Sequence, residues 1–538
     1  MNTRREKHWG WGYEDQQPTA QELVAQAQAI AQHLGFGEVE LESPVAIEQV
    51  KLPPPRVSAG PALDSLSLTD THSRASHAWG KSYCDVVRAF RGRFDHPPDF
   101  VARPRDESEL ERVLEWCSAR RVAAIPYGGG TSVVGGVRPQ VDPSFEGAIS
   151  VDLRSLEGVL EVDDTSRCAL IQAGTCGPAL ERQLAEHGLT LRHYPQSFEF
   201  STLGGWIATR AGGHFATLWT HIEDLVQSMR AITPAGAWES RRLPGSGAGP
   251  SPDRMLAGSE GTLGVITQAW VRVRPRPTHR ASAGVHFERF SDGCECVRAI
   301  SQADLHPAAC RLIDSSEARL TMAGDGSSAL LVLGFESADH PVQSAMARAL
   351  EVCEEFSGRV ARRTDSNRPD SNDAVGTWRE AFLRAPYLRD LLVAMGVLSE
   401  TFETAITWDR FPVFHERVTA AAREALESVA EPSARGIGQV SCRFTHVYPD
   451  GPAPYFTVIA PARRGEEVEQ WWAIKRAVSE AIIREGGTIT HHHSVGRDHQ
   501  HWYERQRPEL FAAALRGAKL AVDPAGIMNP GVLVGSTG

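Results

Sequence analysis

Long apolar runs are missing from this sequence of 538 residues, and no stretch approaches the roughly 20 residues that a membrane-spanning helix needs. The opening residues, MNTRREKHWGWGYED, are charged and have no apolar core, which is not typical of a secretion signal. Together these two absences predict a cytoplasmic protein.

Metal-binding cysteine patterns and a basic excess are missing too. The nine cysteines include no CxxC pair, and the close pair Cys294 and Cys296 has no second pair to complete a zinc site. We interpret them as reduced thiols. The formal net charge is -11, whereas affinity for phosphate backbones comes mainly from clustered Lys and Arg. The composition therefore predicts no nucleic-acid partner.

The apolar pattern predicts four regions. Residues 1–95 form an N-terminal extension with one helix near 18–34 and a Pro-rich arm, KLPPPRVSAGP. Strands and helices alternate over 96–277, and strands with long helices follow over 278–480, interrupted by a polar, mobile stretch at 361–374. A C-terminal segment covers 481–538. This order indicates an α+β fold.

Three segments rich in small residues carry the chemical signal. The first, IPYGGGTS, follows a predicted strand, and consecutive glycines allow a ligand to approach main-chain N–H groups closely. It is neither a Walker loop nor a GxGxxG fingerprint, so taken alone it predicts a diphosphate-binding loop or a simple tight turn. The other two segments are PQSFEFSTLGGW and GSEGTLGVIT.

In order and spacing, the three segments resemble the FAD-binding domain of the vanillyl-alcohol-oxidase (PCMH-type) family. The resemblance implies an FAD-binding domain plus a cap domain with an antiparallel sheet flanked by helices, and a C-terminal segment that completes the flavin site. Some members attach FAD through a His after the glycines; Thr131 stands there, which implies non-covalent FAD. The implied cofactor-binding residues are Pro126, Tyr127, Gly128, Gly129, Gly130, Thr131, Ser132, Gln196, Ser197, Phe198, Glu199, Phe200, Ser201, Thr202, Thr209, Arg210, Ala211, Gly212, Glu260, Gly261, Thr262, Leu263, Gly264, Val265 and Ile266.

Within that family, nearly the whole chain resembles the alkyldihydroxyacetonephosphate synthases. The similar motifs include SFEFSTLGGW, HIEDLV, LAGSEGTLGVIT, CRLID, YLRD, SETFETAITWDR, a triple histidine and VGRDHQHW. The resemblance implies a redox-neutral reaction of ether lipid synthesis, in which a fatty alcohol replaces the acyl group of acyl-dihydroxyacetone phosphate through a flavin N5 adduct. It also implies a lipid or other small-molecule substrate.

The resemblance assigns roles to six residues. Tyr455 matches the proposed general acid/base, His491, His492 and His493 match a triple histidine beside the flavin, and Arg311 matches an arginine needed for activity. Arg389 matches a phosphate-contacting arginine; a guanidinium suits phosphate because its fork gives bidentate hydrogen bonds. Because an ordinary tyrosine has a pKa of about 10, Tyr455 needs cationic or histidine neighbours to act as a base.

Each assignment has a structural alternative. Tyr455 is alternatively a core tyrosine, and the arginines alternatively pair with nearby acids: Arg389 with Asp390 or Glu400, Arg311 with Asp314. On an extended segment, His491 and His493 share one face and His492 opposes them. A metal site needs further ligands that the sequence does not assign, so we expect no metal.

Departures from the family pattern lie near the chemistry. Ser494 stands where the family usually has Gly after the histidines, and Trp219-Thr220 replace a Tyr-Gly pair. They keep open an alternative function, an FAD-dependent oxidase or dehydrogenase of a hydroxy acid or alcohol. A non-catalytic flavin- or lipid-binding protein is a third hypothesis. We also expect a homodimer with peripheral membrane contact, although no long basic amphipathic helix enforces the latter.

Overall fold

The computed structural model describes residues 4–364 and 386–534, so the polar stretch lies outside the described residues from 365 onward. The predicted N-terminal helix begins after Thr19, which forms a reciprocal capping box with Glu22, and it ends at Gly35 in the left-handed conformation (φ 73°). The elements of this region are α1 (Ala20–Leu34), β1 (Ser67–Leu68), α2 (Thr71–Ser76) and α3 (Tyr83–Phe90).

A four-stranded sheet places the glycine loop. Its order is β1-β2-β4-β3; β2 and β3 are parallel to β4, and β1 is antiparallel to β2. The glycines follow the carboxyl end of β3, a buried strand at one edge of this sheet. Its further elements are β2 (Val101–Ala102), α4 (Glu107–Arg120), β3 (Val122–Tyr127) and β4 (Gly147–Asp152).

A second, antiparallel sheet has the order β5-β6-β10-β8-β9. The helix α6 packs on it through Trp206 and Ile207, in a core that also contains Leu263. The elements are β5 (Val159–Asp163), β6 (Cys168–Gln172), α5 (Gly177–Ala185), β7 (Leu189–Thr190), α6 (Leu203–Thr209), β8 (Val226–Thr233), β9 (Gly236–Glu239), α7 (Pro252–Leu256), β10 (Val265–Arg272) and β11 (Arg274–Pro275).

A seven-stranded antiparallel sheet follows, with long helices packed on one face and a short helix on the other. Its order is β15-β12-β14-β13-β17-β18-β16. The elements are β12 (His279–Phe287), α8 (Phe290–Gln302), β13 (Ala309–Ile313), α9 (Ser315–Leu320), β14 (Ala329–Ser337), α10 (Gln343–Glu355), β15 (Arg359–Thr364), α11 (386–394), β16 (Val397–Glu403), α12 (Phe411–Val429), β17 (Gln439–Val447), β18 (Pro452–Pro461) and α13 (Glu467–Arg484).

Strand alternation decides which side chains of this sheet reach the site, since neighbouring residues of a strand face opposite sides. On β18, Phe456 and Val458 pack in the core beneath the helices, whereas Tyr455 and Thr457 face a cavity. On β17, the same alternation places Phe444 in the core and its two neighbours at the cavity. The cavity-facing set is Arg311, Ser399, Thr401, Arg443, Thr445, Tyr455, Thr457 and Ile459.

The C-terminal segment returns to the first sheet. Asn529 donates its backbone N–H to the Ala124 carbonyl (3.0 Å) and its side-chain amide to the Glu260 carbonyl (2.7 Å). Two helices, α14 (Gln500–Gln506) and α15 (Glu509–Val522), precede this return. Among the described residues, no helix has the length and apolar character of a membrane span.

Candidate active site

One cavity of about 420 Å³ joins the glycine loop to the seven-stranded sheet. Nineteen of the predicted cofactor-binding residues line it: Pro126, Tyr127, Gly128, Gly129, Gly130, Thr131, Ser132, Gln196, Ser197, Ser201, Thr202, Thr209, Ala211, Gly212, Glu260, Gly261, Gly264, Val265 and Ile266. The three segments, far apart in sequence, therefore meet at one site.

The other six predicted cofactor residues do not line the cavity. Leu263 is fully buried in the core of the second sheet, and the Thr262 hydroxyl donates to the Ser259 carbonyl (2.7 Å). The Arg210 side chain pairs with Glu223. The remaining three, Phe198, Glu199 and Phe200, point away too: Phe198 stacks on Trp206, Phe200 contacts Trp11, and Glu199 accepts a hydrogen bond from Tyr387.

The glycine loop offers unpartnered donors to a ligand. Within the described part of the chain, no main-chain N–H from Gly128 to Ser132 donates to another protein group. Unpaired backbone N–H groups at a cavity wall favour an anion, so the loop fits the diphosphate of FAD. Thr131 has no ring nitrogen, so it cannot form the covalent link to the flavin that a His makes at this position.

The loop geometry gives a first testable prediction. A Cβ at Gly129 would lie 1.9 Å from the Phe200 carbonyl oxygen, so Gly129→Ala must displace the loop. We expect the FAD affinity to fall at least about tenfold, equivalent to ~1.4 kcal/mol. FAD content of the purified protein, from flavin absorbance per chain, measures it. The control Gly245→Ala, where a Cβ meets nothing within 4 Å, is expected to keep full FAD content; equal loss in both variants would contradict the prediction.

Tyr455 faces the cavity rather than the core, although it is only 5% exposed. The Arg443 guanidinium lies 3.8 Å from the centre of its ring, and the rings of His492 and His493 lie 6.2 and 5.7 Å away. The structure thus places one cationic and two histidine side chains beside the Tyr455 ring. Among residues 4–364 and 386–534, the Tyr455 hydroxyl makes no hydrogen bond. Arg443, which pairs with Glu317, was missed by the sequence analysis.

The two predicted arginines also line the cavity, and neither makes the ion pair weighed as its alternative. Arg311 donates to the carbonyls of His214 (2.9 Å) and Thr445 (3.3 Å), and Arg389 donates to the Lys81 carbonyl (2.7 Å). Burial, together with the nearby Arg443 charge, lowers the pKa of Arg311 to about 10, so it stays protonated at neutral pH.

The acids considered as partners for those arginines are engaged elsewhere. Asp390 pairs with Lys7 (3.1 Å), Glu400 pairs with Lys475 (2.8 Å), and Asp314 accepts from the backbone N–H of Glu317 (2.7 Å). Both arginines lie at the cavity wall.

The triple histidine is gathered around a buried carboxylate. Glu403, at the end of β16, accepts from the backbone N–H groups of His491 (2.5 Å), His492 (2.9 Å) and His493 (2.9 Å), and from the Thr490 hydroxyl. Burial raises the pKa of the Glu403 carboxyl to about 7. The sequence analysis quoted the segment containing Glu403 but assigned this residue no role.

The predicted orientation of the histidines was wrong. Consecutive N–H groups of an extended strand point to opposite sides, whereas these three converge on one carboxylate, so the segment bends instead. His492 and His493 line the cavity and His491 does not. The His491 ring instead lies 2.7 Å (Nε2) from the Tyr448 hydroxyl.

Two family models match this chain. The one described as an FAD binding domain matches residues 98–240, and the one described as FAD linked oxidases, C-terminal domain, matches residues 276–533. The alkyldihydroxyacetonephosphate synthase of Dictyostelium discoideum is 30% identical over 86% of this chain and 78% of its own length. The chain belongs to the alkyldihydroxyacetonephosphate synthase family.

Other relatives and solved structures agree with membership of this synthase family. The enzyme of the same name from Trypanosoma brucei brucei is 29% identical over 91% of this chain and 83% of its own. A solved structure of an alkyldihydroxyacetonephosphate synthase superposes with a TM-score of 0.82 at 25% identity, covering 98% of both chains. The chain is also similar to a relative with a different name: a glycolate oxidase subunit of Bacillus subtilis is 27% identical over 82% of this chain and 89% of its own.

The fold prediction is confirmed. A p-cresol methylhydroxylase structure, 14% identical, superposes with a TM-score of 0.69 over 96% of this chain and 97% of its own, which shows the shared fold alone. The chain has the predicted α+β architecture of the PCMH type, and it is an FAD-binding enzyme. The division into four regions stays a prediction.

The departures from the synthase family pattern have structural consequences. Ser494 has φ +68°, a conformation that suits glycine, so the serine keeps the glycine backbone and adds a side chain at the cavity wall near Glu260. Thr220 lies 2.9 Å (Oγ1) from the Tyr448 hydroxyl that contacts His491, whereas Trp219 lies under the Arg274 guanidinium, 4.0 Å from it. The first two departures therefore contact the site, and Trp219 is a partly exposed surface residue.

Glu260 gives a second prediction. It accepts from the backbone N–H groups of Val495 and Gly496 (both 2.8 Å), and burial raises its pKa to about 7, above the value of about 4.3 in an unfolded chain. A raised folded-state pKa means that the folded state binds the proton more tightly. The contribution of Glu260 to stability is therefore complete below pH ~4 and is lost as the pH rises through 7.

We therefore compare the wild type with Glu260→Gln in urea unfolding from pH 5 to 8. The free energy of unfolding of the wild type, relative to the variant, is expected to fall by up to roughly 1 kcal/mol per pH unit. The exposed Glu115→Gln is the control, and its difference from the wild type is expected to be the same at each pH. A constant difference for Glu260→Gln would contradict the prediction.

Proposed function

We propose that this protein exchanges the acyl group of acyl-dihydroxyacetone phosphate for a fatty alcohol, as an FAD-dependent synthase of ether lipid precursors. In this exchange the bond between the substrate carbon and the carboxylate oxygen breaks, a bond to the alcohol oxygen forms, and a fatty acid leaves. Bound FAD supplies an electron sink, so the exchange needs no external oxidant.

The observation that supports the proposal is the set of side chains that line one cavity. Beyond the glycine loop, it brings together three guanidiniums, Arg311, Arg389 and Arg443, and Tyr455, whose hydroxyl makes no hydrogen bond with the described residues. Arginines suit the dianionic phosphate of the substrate, and a tyrosine hydroxyl at the cavity wall suits the transfer of the proton next to its carbonyl.

The same cavity has an apolar part that favours a lipid chain. Its lining residues there come from α9 and the turn after it, from α11 and from β18: Leu320, Met322, Leu388, Leu392 and Ile459. A hydroxy acid such as glycolate needs no such surface, because apolar lining mainly stabilises apolar ligand atoms. This supports a lipid substrate over a small hydroxy acid, while the homodimer, the cytoplasmic location and the membrane contact stay predictions.

The test is a substrate comparison on the FAD-bound protein. With acyl-dihydroxyacetone phosphate and a long-chain alcohol, we expect fatty acid and ether product in equal amounts. With hydroxy acids and alcohols alone, we expect no bleaching of the flavin under anaerobic conditions. Bleaching by a hydroxy acid, without exchange, would establish the oxidase or dehydrogenase instead, and inactivity in both assays would contradict both functions.

A further inference from the structure

Three imidazoles form a cluster between the cavity and Tyr448. One ring nitrogen each from His446, His491 and His492 can be chosen so that all three lie within 4.8 Å of one another. His446 comes from β17 and the other two from the bent segment after α13. The sequence analysis expected no metal because it could assign no ligand beyond the adjacent histidines; the third imidazole is brought in by the sheet.

The facing ring nitrogens of His491 and His492 share either a proton or an ion. Nδ1 of His491 lies 3.0 Å from Nδ1 of His492, and two lone pairs at that distance repel unless a proton or a metal ion lies between them. The carboxylate of Glu403 lies 3.3 Å (Oε2) from the same His492 nitrogen and supplies negative charge.

Neighbouring polar groups contact this cluster in the way that outer-shell groups contact the ligands of a metal site. The second ring nitrogen of His491 contacts the Tyr448 hydroxyl (2.7 Å), which in turn contacts Thr220 (2.9 Å). The His221 ring contacts the His491 carbonyl through Nε2 (3.0 Å). Such contacts orient a ligating ring and are typical of His-coordinated metals.

We propose that His446, His491 and His492 bind one divalent ion of the zinc class. Three imidazoles with no thiolate suit Zn²⁺ or Co²⁺, and three protein ligands leave a coordination position open. Because His446 and His492 line the cavity, we infer that this position opens towards it, where a Lewis acid polarises a carbonyl or phosphoryl oxygen of a ligand. The metal site goes beyond the proposed function and does not depend on which substrate is used.

The test uses the FAD-bound full chain after dialysis against a chelator. Titration with ZnCl₂ followed by calorimetry is expected to give one equivalent per chain, and CoCl₂ is expected to give the visible d–d bands of four-coordinate Co²⁺. His446→Ala is expected to weaken binding at least about 100-fold. The exposed His187→Ala is expected to bind like the wild type.

Flavin absorbance and far-UV circular dichroism report whether each variant is folded, and His446→Asn provides a second variant if the alanine form does not fold. No Zn²⁺ binding by the wild type, or binding unchanged in both His446 variants, would overturn the proposal. The contact between His491 and His492 would then be a proton-bridged hydrogen bond. Because the readout is metal stoichiometry, its failure leaves the proposed exchange reaction untouched.

Discussion

Replacing Tyr455 by Phe is expected to reduce the rate of fatty acid release from acyl-dihydroxyacetone phosphate by about 100-fold or more, the usual effect of losing a general acid/base. The hydroxyl faces the cavity and makes no hydrogen bond with the described residues, so its removal leaves no protein group without a partner. FAD content and the temperature of unfolding are therefore expected to stay at wild-type values. Steady-state turnover, measured with saturating alcohol, checks the rate.

Tyr83→Phe is the matched control. Tyr83 is fully buried and its hydroxyl likewise has no partner within the described residues, but it lies away from the cavity. This variant is expected to keep wild-type turnover, and its stability is expected to be equal or higher, because a buried hydroxyl without a partner costs free energy. Turnover of Tyr455→Phe equal to that of Tyr83→Phe would exclude Tyr455 as the acid/base.

Replacing Glu403 is expected to cause the second large loss. Glu403→Ala leaves three main-chain N–H groups and the Thr490 hydroxyl without their acceptor, and each buried donor so exposed costs ~1–3 kcal/mol. We expect that variant to be unfolded or strongly destabilised. Glu403→Gln keeps the volume but has one acceptor oxygen, so it is expected to fold, to bind FAD and to lose at least about tenfold in turnover as the histidines shift.

Glu400→Gln on the same strand separates stability from positioning. Glu400 faces the opposite side of β16, where it pairs with Lys475 and accepts from the Trp471 indole. Its replacement is expected to destabilise the protein but to leave turnover per FAD-bound chain near the wild-type value. If Glu403→Gln and Glu400→Gln lose turnover equally, Glu403 contributes stability alone and does not position the histidines.

Local motifs explain why part of the site was predictable. Each of the three cofactor segments is recognisable from consecutive residues: the glycines after β3, the segment that contains Thr202 and the segment that contains Glu260. The structure brings most of these residues to one cavity. The alternation on β18 likewise follows from a strand in which Phe456 and Val458 are buried on one face. A resemblance between whole motifs then assigned roles to Tyr455 and the histidines.

The missed residues depend on pairing between distant segments. Arg443 reaches Tyr455 because β17 pairs with β18 so that Arg443 lies opposite Tyr455, and Glu403 lies opposite Tyr455 on the other side, through β16. No local pattern encodes that register. The same holds for His446, whose contact with the triple histidine joins β17 to a segment more than 40 residues later.

The most direct test of the redox-neutral exchange is an anaerobic turnover experiment that follows the flavin spectrum and the products together. With acyl-dihydroxyacetone phosphate and a long-chain alcohol, we predict one fatty acid released per ether formed over many turnovers, with the flavin oxidised again once substrate is consumed. Stoichiometric flavin reduction that persists until an electron acceptor is added, with no ether formed, would contradict it.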